Sequence, residues 1–157
     1  MIRSTMPSPV GLLTLVSDGQ GLSGVYFEAH KYPAPEAREG EDAATREAKA
    51  ALQRYFAGEP AAYAGALSLL GTPFQKAVWR ALQAIPHGST TTYAAIALGL
   101  NAPKATRAVG AAVGRNPVSI LIPCHRVLGA NGKLTGFAGG LERKQALLAL
   151  EGLSQAT

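Results

Sequence analysis

The chain has 157 residues, of which 47% are hydrophobic and 16% are charged. This composition supports one or two small domains with a packed core, and it excludes an intrinsically disordered chain. The single cysteine excludes an intramolecular disulfide, so we expect a reducing compartment, the cytoplasm, rather than secretion. No uninterrupted apolar stretch reaches about 18 residues, so we expect neither a signal peptide nor a membrane span.

Charge divides the chain near residue 70. Residues 1–70 hold six Lys and Arg against eight Asp and Glu, whereas residues 71–157 hold nine against two. The net charge of +5 therefore arises entirely from the second part, which indicates a region that meets a polyanion. We predict two domains with these boundaries, the first one supporting the second.

The first part predicts a small antiparallel sheet with one helix. Residues 11–16 and 22–27 are apolar and suit strands, and the Gly- and Asp-containing stretch between them suits a turn. Residues 31–44 are rich in Pro, Glu and Ala and predict an exposed loop. The apolar spacing over 45–56 predicts an amphipathic helix. Residues 61–70 suit either one more strand or a linker.

The second part is predicted to be mostly helical, which makes the whole chain an α+β protein. Thr72 is a good N-cap for a helix over 73–85, because proline is favoured at the first helical position. A short helix capped by Thr91 or Thr92 follows. Further helices are predicted over 104–113 and 141–150.

The short helix, a tight turn and the helix over 104–113 together predict a helix-turn-helix. The second of these helices consists almost entirely of Ala, Gly and Val, with Lys104 and Arg107 near its start. Small side chains allow a backbone to approach a duplex closely, and they also allow close packing against other helices. Both interpretations stay open at this point.

The most informative segment surrounds Cys124. The apolar run over 118–122 suits a buried extended segment, and Pro123 ends regular structure just before the cysteine. A thiolate is the reactive form of cysteine, and His125 is a candidate base for the thiol proton. The alternatives are an inert buried thiol, a structural histidine and, for Arg126, a structural ion pair.

Two further inferences concern what surrounds the cysteine. A carboxylate that orients His125 has only Glu142 and Glu151 as candidates in the second part. The spacing of the cysteine and the three histidines matches no metal-ligand pattern, so we expect no metal and no cofactor.

The string over 122–127, Ile-Pro-Cys-His-Arg-Val, resembles the active-site signature of the O6-alkylguanine-DNA alkyltransferases, also called methylated-DNA–protein-cysteine methyltransferases. Five further blocks follow the order of that family, namely residues 72–79, 92–97, 106–110, 116–117 and 135–140. The resemblance covers about residues 71–152, and the first 70 residues resemble the family's variable N-terminal domain only in size and element order.

The resemblance implies DNA repair by irreversible transfer of an alkyl group from O6-alkylguanine, and less well from O4-alkylthymine, to the protein's own cysteine. Each molecule would act once. By position, Cys124 matches the acceptor, His125 the water-linked base and Glu151 the carboxylate that orients it. Asn116 matches a hinge residue, and Tyr93 matches a phenol near the guanine N3.

The resemblance also implies the partner, double-stranded DNA that carries the damaged base. Arg107 matches the residue that replaces the extruded base. The other implied DNA contacts are Thr106, Ala105 and Gly110, and the implied pocket residues besides Tyr93 are Val127, Phe137 and Ala138. We expect a monomer with no obligate protein partner and, because no cysteine precedes residue 124, no structural zinc.

Three competing functions are weighed against this one. Alkyltransferase-like binding proteins lack the acceptor cysteine, which is present here. A DNA-binding regulator would use the helix-turn-helix alone, and the chain is too short for a fused activator. A cysteine hydrolase would need an intermediate that water resolves, whereas a thioether is inert to hydrolysis.

Overall fold

The computed structural model describes residues 1–134 and 137–153, and their contacts divide the chain into two units. The first unit comprises Met1–Leu70 and Pro117–Leu121. The second unit comprises Gly71–Asn116 and the described residues from Ile122 onward. The predicted division at residue 70 did not include the short return of the chain, 117–121, into the first unit. The part of the chain that the structure describes contains no helix that is both long and apolar enough to span a membrane.

A four-stranded mixed sheet forms the first unit, in the order β3-β2-β1-β4. Its strands are β1 (Ile2–Met6), β2 (Leu13–Ser17), β3 (Leu22–Phe27) and β4 (Arg38–Glu39). The pairs β1–β2 and β2–β3 are antiparallel, as predicted, whereas β1 and β4 are parallel. The central strand β2 is buried along most of its length, which places the core of this unit against it.

Two strands of this sheet were not predicted. Only Met6 of β1 is buried, so the strand lacks the alternation of buried and exposed residues that identifies a strand in a sequence. Both residues of β4 are exposed, and they lie inside the segment 31–44 that was predicted to be a loop. Residues 61–70, for which a strand or a linker was expected, form no strand of the sheet. They contribute one isolated bridge, between Leu67 and Leu22.

Helix α1 (Ala43–Phe56) packs on the sheet of the first unit. It begins two residues before the predicted start because Asp42, rather than a later residue, is the N-cap. The Asp42 carboxylate accepts a hydrogen bond from the Thr45 backbone N–H at 3.0 Å, and the Thr45 hydroxyl oxygen accepts one from the Asp42 N–H at 3.0 Å. This reciprocal pair satisfies two backbone groups that a helix start leaves open.

In its described residues, the second unit contains four α-helices, two single turns of 3-10 helix and one short pair of strands. The helices are α2 (Pro73–Gln83), α3 (Tyr93–Gly99), α4 (Thr106–Gly114) and α5 (Leu141–Leu150). Thr72 caps α2 as predicted, and of the two candidates Thr91 and Thr92 it is Thr92 that caps α3. The strands β5 (Thr91–Thr92) and β6 (Val127–Leu128) pair in parallel. Helix α4 begins two residues after the predicted start, and its N-cap, Ala105, offers no side-chain oxygen to the first turn.

The helix-turn-helix is confirmed, because α3 and α4 are consecutive and in contact. Trp79 of α2 is almost fully buried, and its indole N–H donates to the Ala112 carbonyl oxygen at 2.8 Å, which ties α2 to α4. Val109 and Val113 are also buried, so this side of α4 packs against its own unit. Arg107 lies on the exposed side of α4. Small residues thus serve packing on one side of this helix and leave the opposite side open.

The apolar run over 118–122 is buried, but it is not one extended segment. Val118 forms a bridge with Val25, and the chain then turns at Ile120, whose φ of 72° lies in the left-handed region. A β-branched residue rarely adopts this conformation, so a sequence pattern does not predict it. The turn allows the chain to leave the second unit after Asn116 and to return to it at Ile122.

Candidate active site around Cys124

Cys124 opens a single turn of 3-10 helix, Cys124–Arg126, that leads directly into β6. Cys124 is 5% exposed, and its backbone N–H donates to the Ile122 carbonyl oxygen at 2.8 Å. In an extended chain, Cys124 and His125 would point to opposite faces. The turn removes this constraint, so consecutive residues can contribute to one site.

Asn116 lies where the chain leaves the second unit, and it is 4% exposed. Its side-chain amide donates to the Ile122 carbonyl oxygen at 2.7 Å, which links the two ends of the segment 117–121. The same side chain also hydrogen-bonds to the Cys124 thiol. One amide therefore fixes the backbone that precedes the cysteine and contacts its sulfur.

His125 is completely buried and is held by Glu151, the C-cap residue of α5. The distance from His125 Nε2 to Glu151 Oε2 is 2.5 Å. This contact orients the ring and makes Nδ1 the nitrogen through which the imidazole can exchange a proton. Glu142, the other candidate carboxylate, is exposed in the first turn of α5.

Arg126 holds the same carboxylate from a second direction. Its Nε donates to Glu151 Oε1 at 2.8 Å and its Nη2 to Oε2 at 3.2 Å, while Nη1 donates to the Ile85 carbonyl oxygen at 2.8 Å. The predicted structural ion pair of Arg126 is thereby confirmed. A bidentate guanidinium fixes the plane of a carboxylate as well as its charge.

The Gly88 backbone N–H completes the shell around Glu151, donating to Oε1 at 2.9 Å. Gly88 has a φ of 79°, a conformation that glycine adopts without steric cost. The turn after α2 thus aims a backbone donor at a carboxylate 63 residues further along the chain. Both Glu151 oxygens have hydrogen-bond partners, which fixes the carboxylate in position.

Burial dominates the titration of both reactive groups. It raises the pKa of the Cys124 thiol, while the Asn116 hydrogen bond and the positive charge of Lys144 act to lower that pKa. Burial also lowers the pKa of His125, against the effect of the Glu151 carboxylate, which raises it. The resting site therefore holds a thiol beside a neutral imidazole, and a neutral imidazole can accept the thiol proton.

Lys144 corrects one sequence-based expectation. The sequence alone suggests that Lys144, like Lys104, Arg115, Lys133 and Arg143, is either a phosphate contact or a solvated charge. Lys144 is instead fully buried in α5, and its ammonium group donates to the Val127 carbonyl oxygen at 2.6 Å. Leu147 and Leu148 follow Lys144 at three and four residues, so all three lie on the same side of α5. This amphipathic spacing is the sequence signal that predicts the burial of Lys144.

The residues suggested for DNA contact lie on or near α4. Thr106 and Arg107 are exposed, and Ala105 is half-buried at the N-cap. Gly110 faces Tyr93, since a Cβ atom at Gly110 would lie 3.8 Å from the tyrosine ring. The structure therefore brings Tyr93, the first residue of α3, against the helix that carries Arg107.

The suggested pocket residues besides Tyr93 occupy two segments. Val127 is fully buried in β6, directly after the turn that contains the cysteine. Phe137 and Ala138 are half-buried in the loop that precedes α5, and the Gly140 N–H donates to the Phe137 carbonyl oxygen at 2.9 Å. Thr135 and Gly136, also part of the predicted loop, lie outside the described residues.

Fold and site together define a two-unit α+β protein in which a supported cysteine shares a unit with a helix-turn-helix. Residues 73–153 match the family described as "6-O-methylguanine DNA methyltransferase, DNA binding domain". Residues 1–69 match its "ribonuclease-like domain". The chain belongs to the 6-O-methylguanine DNA methyltransferase family.

Individual relatives agree with this assignment over nearly the whole chain. A methylated-DNA–protein-cysteine methyltransferase of Methanosarcina acetivorans is 47% identical over 154 residues, covering 97% of this chain and 99% of its own. That of Haemophilus influenzae is 48% identical over 148 residues, covering 92% and 83%. The Mycobacterium tuberculosis protein solved in complex with DNA superposes with a TM-score of 0.88 at 44% identity, covering 96% of this chain and 92% of its own.

Proposed function

We propose that this protein repairs DNA by moving the alkyl group of O6-alkylguanine, and less well of O4-alkylthymine, onto Cys124. The observation that carries the proposal is the buried array behind the cysteine, in which Glu151 fixes both His125 and Arg126. An inert core thiol has no need of an oriented imidazole and a doubly paired carboxylate in the same turn.

The transfer step is a displacement at a saturated carbon. The thiol proton passes to Nδ1 of His125 through a water, and the thiolate attacks the methyl carbon in line with O6. The sulfur–carbon bond forms as the carbon–O6 bond breaks, and the bonding pair stays on guanine. Guanine gains one proton for the one that the thiol lost, so the products are a thioether at Cys124 and unmodified guanine.

The residue types suit this step. A soft sulfur nucleophile displaces an oxygen leaving group at carbon more readily than a hydroxyl does, and burial strengthens the electrostatic help that it receives. The leaving guanine carries developing negative charge, which the Tyr93 hydroxyl would stabilise by donating to it. Asn116 would hold the sulfur in line through its contacts with the thiol and with Ile122.

The substrate atom lies inside a stacked duplex, so the damaged base must be extruded before it can react. Arg107, exposed on α4, would fill the vacated position, while Thr106, Ala105 and Gly110 would lie along the groove. Val127, Phe137 and Ala138 would line the pocket for the extruded base. The Mycobacterium tuberculosis relative has been solved with DNA, which supports DNA as the partner here.

The proposal requires no cofactor and no metal, and the protein would act as a monomer. Each molecule would act once, because a thioether offers no leaving group to water. The need for a free thiol and for access to DNA favours the cytoplasm for this activity.

The test is the mass of the intact protein after incubation with duplex DNA that contains O6-methylguanine. We expect a gain of one methyl group in place of one hydrogen, located on Cys124 by peptide mapping, with at most one transfer per protein. Continued turnover with excess substrate would contradict the proposal and favour a hydrolase.

A matched variant separates chemistry from recognition. Cys124→Ala should bind the damaged duplex as the wild-type protein does and should take up no methyl group. Binding is measured by fluorescence anisotropy with labelled duplexes that do or do not carry the lesion. Loss of preferential binding along with transfer would indicate that the thiol has a structural role.

A further inference from the structure

Arg143 is a half-buried cation in the first turn of α5, where the helix dipole disfavours a positive charge. Its Nη1 donates to the Gly139 carbonyl oxygen at 3.2 Å, in the loop that precedes the helix. A residue that breaks a local rule in this way is best explained by what its side chain contacts. The contact of Arg143 with the loop is therefore a candidate for a function beyond helix stability.

The loop that receives this hydrogen bond has little stiffness of its own. Gly139 and Gly140 stand together at its end, and glycine has the greatest backbone freedom of all residues. Gly140, the N-cap of α5, has a φ of 90° and no side chain with which to cap the helix. A turn closes the loop through the Gly140 N–H, which donates to the Phe137 carbonyl oxygen at 2.9 Å. A hydrogen bond from the helix to buried Gly139 therefore restricts a segment that is otherwise easily deformed.

Helix α5 is itself fixed relative to the turn that contains Cys124. In its second turn, the Lys144 ammonium group donates to the Val127 carbonyl oxygen at 2.6 Å. At its end, Glu151 Oε2 lies 2.5 Å from His125 Nε2. Because both contacts tie the helix to the segment around the cysteine, a loop that is fastened to α5 is also positioned relative to the sulfur.

We propose that Arg143 is a positioning residue for alkyl transfer: through the Gly139 carbonyl it holds the loop 137–140 in the conformation that receives the damaged base. The loop carries Phe137 and Ala138, which we have proposed as pocket residues, so this inference rests on the proposed function. Arg143 acts on the base through the loop and does not act on the sulfur. Its loss therefore slows reaction with the free base as much as reaction with duplex DNA.

The test compares Arg143→Gln, Arg143→Lys and the control Arg80→Gln, which removes an exposed arginine of α2 in the same unit. Single-turnover methyl transfer is measured on duplex DNA that contains O6-methylguanine and on the free base. We expect Arg143→Gln to be roughly tenfold slower on both substrates, the effect of losing one charge-assisted hydrogen bond.

Arg143→Lys keeps the charge and a donor, so it should recover part of the rate, and Arg80→Gln should keep all of it. Slowing of Arg143→Gln on duplex DNA alone, or a wild-type rate on both substrates, would overturn the proposal.

Two further measurements separate an effect on the loop from other roles of Arg143. Alkylation of Cys124 by iodoacetamide needs no base pocket, so Arg143→Gln should react at the wild-type rate. A slower reaction would place the effect on the cysteine and overturn the proposal. Binding to undamaged duplex should keep its salt dependence, whereas a slope of log affinity against log salt that is smaller by about 0.9 would assign Arg143 to a phosphate instead.

A last measurement needs no substrate and so separates this inference from the proposed function. Backbone 15N relaxation gives the order parameters of the Phe137, Ala138 and Gly139 amides, and the same spectra show that the variant is folded. In Arg143→Gln we expect these values to fall from about 0.85 toward about 0.6. Equal values in the two proteins would overturn the proposal. A loosened loop in Arg143→Gln, together with a wild-type protein that accepts no methyl group, would instead overturn the proposed function.

Discussion

The two units of this molecule bury polar side chains for different purposes. In the first unit, the Ser17 hydroxyl donates to Asp42 at 2.5 Å, Asp42 caps α1, and the His30 ring accepts from the Phe27 N–H. Each of these contacts completes a turn or a helix end. In the second unit, Glu151 gathers Arg126, His125 and the Gly88 N–H from two other parts of the chain.

This difference supports the proposed location of the chemistry in the second unit. Loss of a capping side chain lowers the free energy of unfolding by about 1 kcal/mol. A buried ionic array, in contrast, has a large desolvation penalty and is often no more stable than an apolar core of the same size. The second unit keeps such an array beside its cysteine. Stability alone therefore does not account for it, which supports the role in the reaction that we propose for it.

Among the substitutions that test this comparison, Glu151→Gln should have the largest effect on transfer rate and stability. The substitution removes the charge that fixes His125 and leaves Arg126 as a buried cation without its carboxylate. We expect the transfer rate to fall about 100-fold or more and the free energy of unfolding to fall by about 3 kcal/mol. Single-turnover kinetics and urea unfolding measure the two effects.

The same change at Glu142, which is exposed at the start of α5, serves as the control. Glu142→Gln should leave the transfer rate unchanged. A Glu151→Gln protein that transfers methyl groups at the wild-type rate would show that the ionic array of the second unit, like the caps of the first, serves only the structure.

Arg107→Ala should have the next largest effect, and only on duplex substrate. Extruding a base costs a few kcal/mol of stacking and pairing, and an inserted guanidinium offsets part of that cost. We expect transfer from duplex DNA to slow about tenfold or more, with little change for the free base O6-methylguanine. Equal slowing on both substrates would refute the role in base replacement.

Acid should weaken the second unit through His125. Because the pKa of buried His125 is lowered, the unfolded chain binds more protons than the folded one once the pH falls below about 6.5. The stability contributed by neutral His125 is therefore present above that pH and is lost as the pH falls through the folded pKa. The loss amounts to about 1.4 kcal/mol for each pH unit that separates the folded and unfolded pKa values.

The single tryptophan, Trp79, is buried in the second unit and reports its unfolding. Urea titrations followed by its fluorescence should give midpoints that decrease between about pH 7 and pH 5. The decrease should be smaller in His125→Asn, and an equal decrease in both proteins would assign the acid sensitivity to another group.

Asp42→Ala should have the smallest effect, and it tests the comparison in the first unit. It removes the N-cap of α1 and the acceptor of the Ser17 hydroxyl, so we expect a loss of about 1–2 kcal/mol in the free energy of unfolding. The rate of methyl transfer at saturating DNA should stay at the wild-type value. A slower rate in the folded variant would show that the cap residue affects the chemistry.

The sequence predicted the elements whose signals are local. Helix α2 was predictable because Thr72 and Pro73 form a standard helix start, and β3 because an apolar run follows a turn. Strand β4 was not predictable, because two exposed residues acquire their pairing only from β1. The turn at Ile120 was also not predictable, since isoleucine disfavours a positive φ.

The same difference between local sequence signals and contacts across the fold applies to the site. A cysteine with a following histidine was visible in the sequence, and the choice of Glu151 over Glu142 came from the family resemblance. The Gly88 donor and the burial of Lys144 depend on contacts across the fold. Amphipathic spacing in α5 could have identified Lys144 as buried, but its hydrogen bond to the Val127 carbonyl oxygen could not be found without coordinates.

The position of Glu151 has a practical consequence. It stands one residue past the end of α5, where the cap backbone N–H bonds to carbonyls of the helix's last turn. Proteolytic loss of the chain from residue 151 onward would delete the carboxylate while sparing the cysteine, the histidine and the helix-turn-helix. We expect a preparation shortened in this way to show a full thiol count but to transfer methyl groups far more slowly, so the presence of Glu151 is the better measure of active protein.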